Sequence, residues 1–367
     1  MLSLGILYRQ KVKCLNLFKI MNDELYLSDL EKAMKRFPYI ASVDKQYTLA
    51  MLHSELASEK ERGKLAFILG NGINRYASVV SAISWDKLME LVWEDASLGE
   101  PMPQNLKGLP LTEIYDLLCL KVSASKDKWE DKVQEIRKKV VGLIGKTQYI
   151  TTLQQRLSQL QVPVLTTNYD ANLEEGLRQF IIKNFELYQS AGYSETYPLS
   201  EYYAKNEIAE SDFQKSFSVW HINGRINHPK SIRLGSADYM GLMAYTKNIL
   251  QNEANLFNVK QEGDAWGIEN LTDKTVNKKY RYTWLNIFYN SSLCINGLML
   301  DPNETYLRWL LLSRKKYLDR IGMKAYGWYI CSHNDLTNGK EYFLKNVGFN
   351  IVIIDDLYVR YNELFDF

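Results

Sequence analysis

Four short stretches of this chain set glycine and polar side chains directly after apolar runs, where the ligand-binding loops of α/β proteins arise. The first is Leu69-Gly70-Asn71-Gly72-Ile73-Asn74. Two glycines one residue apart permit a tight turn and let backbone N–H groups approach a phosphate. Arg75 stands where a full dinucleotide fingerprint has its third glycine, so an ordinary turn fits equally. The second, Thr166-Thr167-Asn168-Tyr169-Asp170, puts a carboxamide and a carboxylate at one edge; Asn168 or Asp170 would also serve as a helix cap. The third, Trp220-His221-Ile222-Asn223-Gly224, places one of four histidines beside Asn and Gly and is followed by Arg233, Asp238 and Tyr239. The fourth runs Asn296-Gly297-Leu298-Met299-Leu300-Asp301-Pro302-Asn303, with Pro302 suited to a first helical turn.

Other chemistries lack their residues. His53, His228 and His333 belong to no His-x-x-x-His or carboxylate cluster, and no metal is expected. The chain has no Gly-x-x-x-x-Gly-Lys-Ser/Thr loop for a nucleotide and no Gly-x-Ser-x-Gly elbow. Cys14, Cys119, Cys294 and Cys331 stand singly, which argues against a zinc ribbon and for a reducing, cytoplasmic compartment. In 367 residues, 45 basic against 43 acidic side chains leave a net charge of +2, no excess with which to neutralise phosphates, so direct nucleic-acid binding is not expected. Aromatic residues at 13% exclude a disordered chain. No apolar run approaches the roughly 18 residues of a membrane span. The basic stretch Met1–Asn22, with Arg9, Lys11, Lys13 and Lys19, reads as an extension, and Met21 competes with Met1 as the start.

The elements that would position these loops follow from periodicity. Residues 65–69, 162–165, 218–220, 293–295, 328–330 and 351–354 are short apolar runs that read as strands. Helical patterns follow several of them, over residues 173–185, 237–250, 304–318 and 340–347. Strand followed by helix, repeated, predicts an α/β fold: a Rossmann-like parallel sheet flanked by helices. Asp23 to Arg62 is helical in pattern, divided at Pro38, and residues 1–64 read as an N-terminal helical extension. The main domain is expected over 65–356, with a helical insertion at 85–160 in which Thr112 caps one segment, and a tail at 357–367. Tyr188 to Gln214 lacks periodicity and reads as a surface excursion.

The order of the motifs adds what each lacks alone. A Gly-x-Gly strand end, then Trp85-Asp86-x-Leu88, Thr-x-Asn-x-Asp, the Asn223-Gly224 strand end and the Gly-x-x-x-Asp-Pro-Asn loop together resemble the sirtuin-like family. More narrowly, the set is similar to the bacterial sirtuin-like NAD hydrolases of anti-phage defence. The chain departs from deacylating sirtuins in having no four-cysteine zinc module. It departs also at the family's His-Gly pair, which here is Asn223-Gly224 with His221 two residues earlier, on the same face of a strand. The resemblance implies an NAD glycohydrolase that binds NAD as substrate and no metal. It implies Asn168 positioning the attacking water or the ribose, Asp170 on the nicotinamide carboxamide, and His221 acting on a ribose hydroxyl. Gly70 and Gly72 would hold the pyrophosphate through their N–H groups, with Asn71, Asn74, Thr167, Asn223 and Gly224 around the ligand. Asn296, Asp301 and Asn303 would border the adenosine. It also implies a homo-oligomer or a complex with a defence ATPase as a gate on NAD loss. The rival reading is a binding module that senses NAD or ADP-ribose without cleaving it.

Overall fold

Five of the six apolar runs are strands buried on both faces, which is what a continuous rather than alternating apolar pattern requires, and the sixth, at 351–354, is an edge strand with Ile351 and Ile353 only partly buried. A computed structural model describes residues 47–76, 83–106, 108–123, 129–145, 151–189, 194–209, 212, 214–252, 259–262, 265–268, 283–301, 303–320, 322–354 and 361–367. The basic N-terminal stretch, the helices expected before and after Pro38 up to residue 46, and Pro302 lie outside them. The strands are β1 Leu65–Leu69, β2 Pro163–Thr166, β3 Glu186–Gln189, β4 Glu201–Ala204, β5 Ser218–His221, β6 Val259–Glu262, β7 Ala265–Ile268, β8 Ser292–Asn296, β9 Gly327–Cys331 and β10 Phe349–Ile353. Eight form one sheet in the order β10-β9-β8-β1-β2-β5-β4-β3, and β6 pairs with β7 apart from it. From β10 to β5 all neighbours run parallel, while β4 is antiparallel to both β5 and β3.

The helices are α1 Leu49–Glu61, α2 Ile73–Tyr76, α3 Trp85–Ala96, α4 Leu111–Val122, α5 Trp129–Ile144, α6 Thr151–Leu160, α7 Asn172–Phe180, α8 Ser236–Asn252, α9 Trp284–Asn290, α10 Thr305–Arg320 and α11 Asn338–Asn346. Alternation along β1 assigns them to two layers. Ala66 and Ile68 face a core built with α8, α9, α10 and α11 through Leu242, Phe288, Leu310 and Leu344. Leu65, Phe67 and Leu69 face the other, built with α1, α6 and α7 through Leu52, Leu157 and Leu177. The result is the expected α/β architecture, a mostly parallel sheet with helices on both faces.

Three details differ from the expectations. α1 and α6 contribute to the sheet's own core, whereas α3, α4 and α5 close a separate cluster around Val92, Leu118 and Val140. The last residues also join the sheet's core, with the Phe365 ring edge-on to Phe67 at 5.3 Å. The expected excursion from Tyr188 to Gln214 overlaps the end of β3 and contains β4, whose Glu201, Tyr202 and Tyr203 are buried despite their polar character. Polar and aromatic composition masks β4, because its burial is satisfied by hydrogen bonds such as Arg225 to Glu201 at 2.5 Å, while β3 is a partly exposed edge strand without an apolar run.

Candidate functional site

β1 and β8 are neighbours whose chains leave for opposite faces of the sheet, β1 by way of α6 on the Phe67 side and β8 by way of α10 on the Ala66 side. Such a divergence opens a ligand crevice at the carboxyl ends of the strands. Register places Leu69 opposite both Asn296 and Thr166, and Thr166 opposite His221. The four motifs of the sequence therefore stand along one edge.

The glycine loop is used by the protein itself. The Gly70 N–H donates to the Asn296 carbonyl at 3.0 Å and the Gly72 N–H to the Gly297 carbonyl at 2.8 Å. A Cβ on Gly72 would lie 2.6 Å from the Gly297 Cα. The glycine spacing thus lets two backbones touch. Both amides are already engaged, which corrects the expectation that they hold a pyrophosphate. Asn71 and Asn74 are likewise linked: Asn71 Nδ2 donates to the Ile83 carbonyl at 2.9 Å, and Asn74 Nδ2 donates to Asn71 Oδ1 at 3.1 Å and Asp170 Oδ2 at 2.9 Å. Asp170 Oδ1 accepts the Asn172 N–H at 3.0 Å, an Asx turn that leads into α7, whose N-cap position is Ala171 and not the expected Asn168 or Asp170. Burial pushes the Asp170 carboxyl up, while these hydrogen bonds hold it down. Both of its oxygens thus brace the glycine loop against α7.

β2 and β5 meet through His221. Thr166 Oγ1 donates to the Leu69 carbonyl at 2.9 Å, and the Thr167 N–H donates to the same carbonyl at 3.1 Å. Asn168 then receives His221: Nδ1 donates to the Asn168 carbonyl at 2.8 Å, and Nε2 lies 2.9 Å from Glu174 Oε1 on α7. A carbonyl only accepts, so Nδ1 carries a proton. Burial works against a charged ring, but the Glu174 carboxylate and the Asn168 carbonyl outweigh it and hold the imidazole's pKa above its ordinary value. The ring is 5% exposed and both nitrogens are committed. It has no free nitrogen for a ribose hydroxyl, so the expected general base is instead a brace that fixes the Asn168 peptide.

The Asn168 side chain is the opposite case. It is buried, and its Nδ2 has no hydrogen-bond partner among the described residues. Asn223, on the β5 loop, gives its carbonyl to the Arg233 N–H at 3.1 Å, while its carboxamide makes no hydrogen bond among the described residues. Gly224 adopts φ +88 in the turn that follows, a region closed to side chains at low cost. The Arg233 carbonyl accepts the Tyr169 hydroxyl at 2.5 Å, and that hydroxyl stands 3.4 Å from Tyr239 on α8. Trp85 packs edge-on to Tyr169 at 5.5 Å, tying the start of α3 to the same loop.

The β8 loop carries the sharpest anomaly. Asn296 is 0% exposed, and both its Nδ2 and its Oδ1 lack hydrogen-bond partners among the described residues. Asp301 Oδ1 accepts the Asn303 N–H at 2.7 Å, and Asn303 Oδ1 accepts the Leu111 N–H at 2.7 Å. Asn303 thereby caps α4, the service expected of Thr112, which lies inside the helix. Two carboxyls that no motif names complete the edge. Glu174 sits in the first turn of α7 among Leu173 and Leu177, a charge in an apolar stripe that is itself the sequence signal for a buried partner. Glu304 follows Asn303 directly. Burial, with Asp301 adding its charge, pushes its carboxyl up to about 7. A separate cavity of about 580 Å³, lined by Lys60, Gln155, Arg156 and Phe365–Phe367, holds none of these residues. Among the described residues no group of three or more His, Cys, Asp or Glu could hold a metal ion, and no helix is long and apolar enough to cross a membrane.

A carboxamide costs about 1–3 kcal/mol when buried without a partner. Two of them at one strand edge fit a polar ligand that completes their hydrogen bonds. Residues 162–261, from β2 through Asn168, Glu174, His221 and Asn223 to β6, match the model of the SIR2-like domain. A search of curated proteins finds no match. The chain is thus similar to SIR2-like domains over the segment that carries the middle of the site, and this similarity supports a sirtuin-like, NAD-related function.

Proposed function

We propose that this protein is an NAD glycohydrolase that cleaves NAD to nicotinamide and ADP-ribose. The observation that carries the reading is the set of buried carboxamide atoms without partners among the described residues, Asn168 Nδ2 and both Nδ2 and Oδ1 of Asn296, at the carboxyl edge of the sheet in and beside the SIR2-like segment. Breaking the nicotinamide–ribose bond passes through an oxocarbenium-like state with a neutral leaving group, a step that needs positioning and electrostatics more than a strong nucleophile. Asn168 supplies a fixed dipole for the ribose or the incoming water. Its peptide is held by His221, whose other ring nitrogen is engaged by Glu174. Asn296 lies deepest and meets another polar part of the ligand. The resemblance to defence hydrolases extends the reading to a cytoplasmic anti-phage effector, gated as a homo-oligomer or by a partner ATPase. The test is nicotinamide release from NAD by the purified protein and by Asn168→Ala. Release that the variant loses while remaining folded supports the reading, and full release by the variant removes Asn168 from it.

Asn223 favours a second reading. The position of the family's His-Gly histidine holds a carboxamide without a titratable proton, and His221 does not reach outward to replace it. A domain that binds NAD or ADP-ribose without turnover would show affinity for NAD and no nicotinamide release.

A further inference from the structure

The segment that leads from β5 into α8 has two sides. On the side of the site, Arg233 donates its N–H to the Asn223 carbonyl at 3.1 Å, and its own carbonyl accepts the Tyr169 hydroxyl at 2.5 Å. A Cβ on Gly224 would lie 2.2 Å from the Ser231 carbonyl oxygen, so the Asn223–Gly224 turn rests directly on this segment. On the other side, Ile232 and Leu234 enter the cluster closed by α3, α4 and α5, together with Tyr169. One short stretch of chain therefore touches both the site loops and the helical cluster.

The helices hold that stretch by charge as well as by packing. Asp238, in the first turn of α8, accepts the Leu234 and Gly235 N–H groups on Oδ2 at 3.2 and 3.3 Å. Its Oδ1 accepts Arg137 Nη2 of α5 at 2.6 Å and lies 3.7 Å from Arg233 Nη1. Arg137 is 7% exposed, and a buried, charge-assisted hydrogen bond keeps one geometry where an exposed ion pair does not. α4 adds a second hold, since Asp116 Oδ2 accepts the Ser236 N–H at 2.9 Å. Gly235 permits that approach, because a Cβ there would lie 2.1 Å from Asp116 Oδ1. Asp238 lies within the segment that matches the SIR2-like domain and Arg137 lies outside it.

We propose that Arg137 is a positioning residue of this site: through Asp238 it fixes residues 232–235, and through them the Asn223 turn and the Tyr169 loop. The proposal rests on the NAD glycohydrolase reading. Tyr169 directly follows Asn168, so the same stretch governs both the Asn168 and the Asn223 carboxamides. Arg137 acts on the ligand only through these loops. Displacing a positioning group by about 1 Å costs on the order of 10²-fold in rate, so a distant ion pair is enough to set turnover. Asp238 stays compensated without Arg137, by Arg233 and two backbone N–H groups, so removing the arginine loosens the stretch without stranding a buried charge.

The experiment compares wild type, Arg137→Met, Arg137→Lys and the control Lys139→Met, which removes the exposed Lys139–Asp95 pair of the same helix. On each, kcat and KM for nicotinamide release from NAD are measured together with peptide-level hydrogen exchange. Arg137→Met should lower kcat by roughly 10–10²-fold and speed exchange over residues 222–235. Arg137→Lys should recover part of both, since an ammonium still pairs with Asp238, and Lys139→Met should match wild type. Exchange over 222–235 that stays at the wild-type rate in Arg137→Met, or faster exchange there with kcat intact, overturns the positioning role and leaves the hydrolase reading standing. Faster exchange throughout the sheet overturns it as well, because the arginine would then serve stability alone. A wild type that releases no nicotinamide overturns the hydrolase reading and the positioning role with it.

Discussion

The ends of β5 and β8 stand on the same edge of the sheet and spend their polar groups in opposite ways. At β5, His221 has both nitrogens engaged, one on the Asn168 carbonyl and one on Glu174. At β8, Asn296 is equally buried and has neither carboxamide atom engaged. The residue whose type most suggests chemistry is built into the framework, while a residue of unremarkable type keeps its carboxamide unengaged among the described residues. Reactivity of a side chain is thus a weaker guide to a site than the state of its hydrogen bonds. A satisfied polar group stabilises the fold, and an unsatisfied one stores a cost that a ligand can recover.

The largest expected effect breaks the β5 side. Glu174→Gln should destabilise the protein by about 3–5 kcal/mol, because it removes one partner of a buried, hydrogen-bonded pair. Folding raises the His221 pKa above its ordinary value, so the pair's stabilisation is complete below about pH 6.5 and fades as pH climbs through the folded-state value. Chemical denaturation at several pH values should show wild-type stability falling over that upper window, with the slope reduced in Glu174→Gln. An unchanged slope would mean that His221 is not held protonated. Next comes Asn168→Ala, whose loss of a positioned dipole should cut nicotinamide release by roughly 10²–10³-fold, the scale of a missing oxyanion-type donor. The smallest effect concerns the service residues of the β8 loop. Asn303→Ala should cost about 1 kcal/mol through the α4 cap and leave NAD affinity nearly unchanged. A large loss of affinity would place Asn303 at the ligand instead.

How much of this was legible in the sequence varies by kind of signal. Six strands of the sheet were visible by their continuous apolar runs, which burial on both faces demands in five of them, as in Leu65–Leu69. β4 was not, since Glu201, Tyr202 and Tyr203 satisfy their burial by hydrogen bonds and stacking, for instance Tyr202 against Trp220 at 4.5 Å, and β3 was not because it is a partly exposed edge strand with no apolar run. The edge on which the motifs would meet was readable from their places after strands. Their division of labour was not. The Asn303 cap on α4 joins residues 192 apart in the chain, and the Gly72–Gly297 contact joins two loops whose spacing carries no mutual trace. Glu174 and Glu304 belong to no motif, and only the folded chain shows one locked against an imidazole and the other unpaired.

The contrast between spent and unspent groups is tested most directly at Asn296, by titrating NAD calorimetrically into wild type and Asn296→Leu alongside denaturant unfolding of both. Leucine matches the shape of asparagine and removes two unsatisfied polar atoms, so the variant should be as stable as wild type or more stable, by up to about 1–3 kcal/mol. Its affinity for NAD should fall about tenfold or more, the worth of one or two hydrogen bonds to the ligand. A variant that loses stability and binds NAD as tightly as wild type would contradict the account, because Asn296 would then be serving the fold and not the ligand.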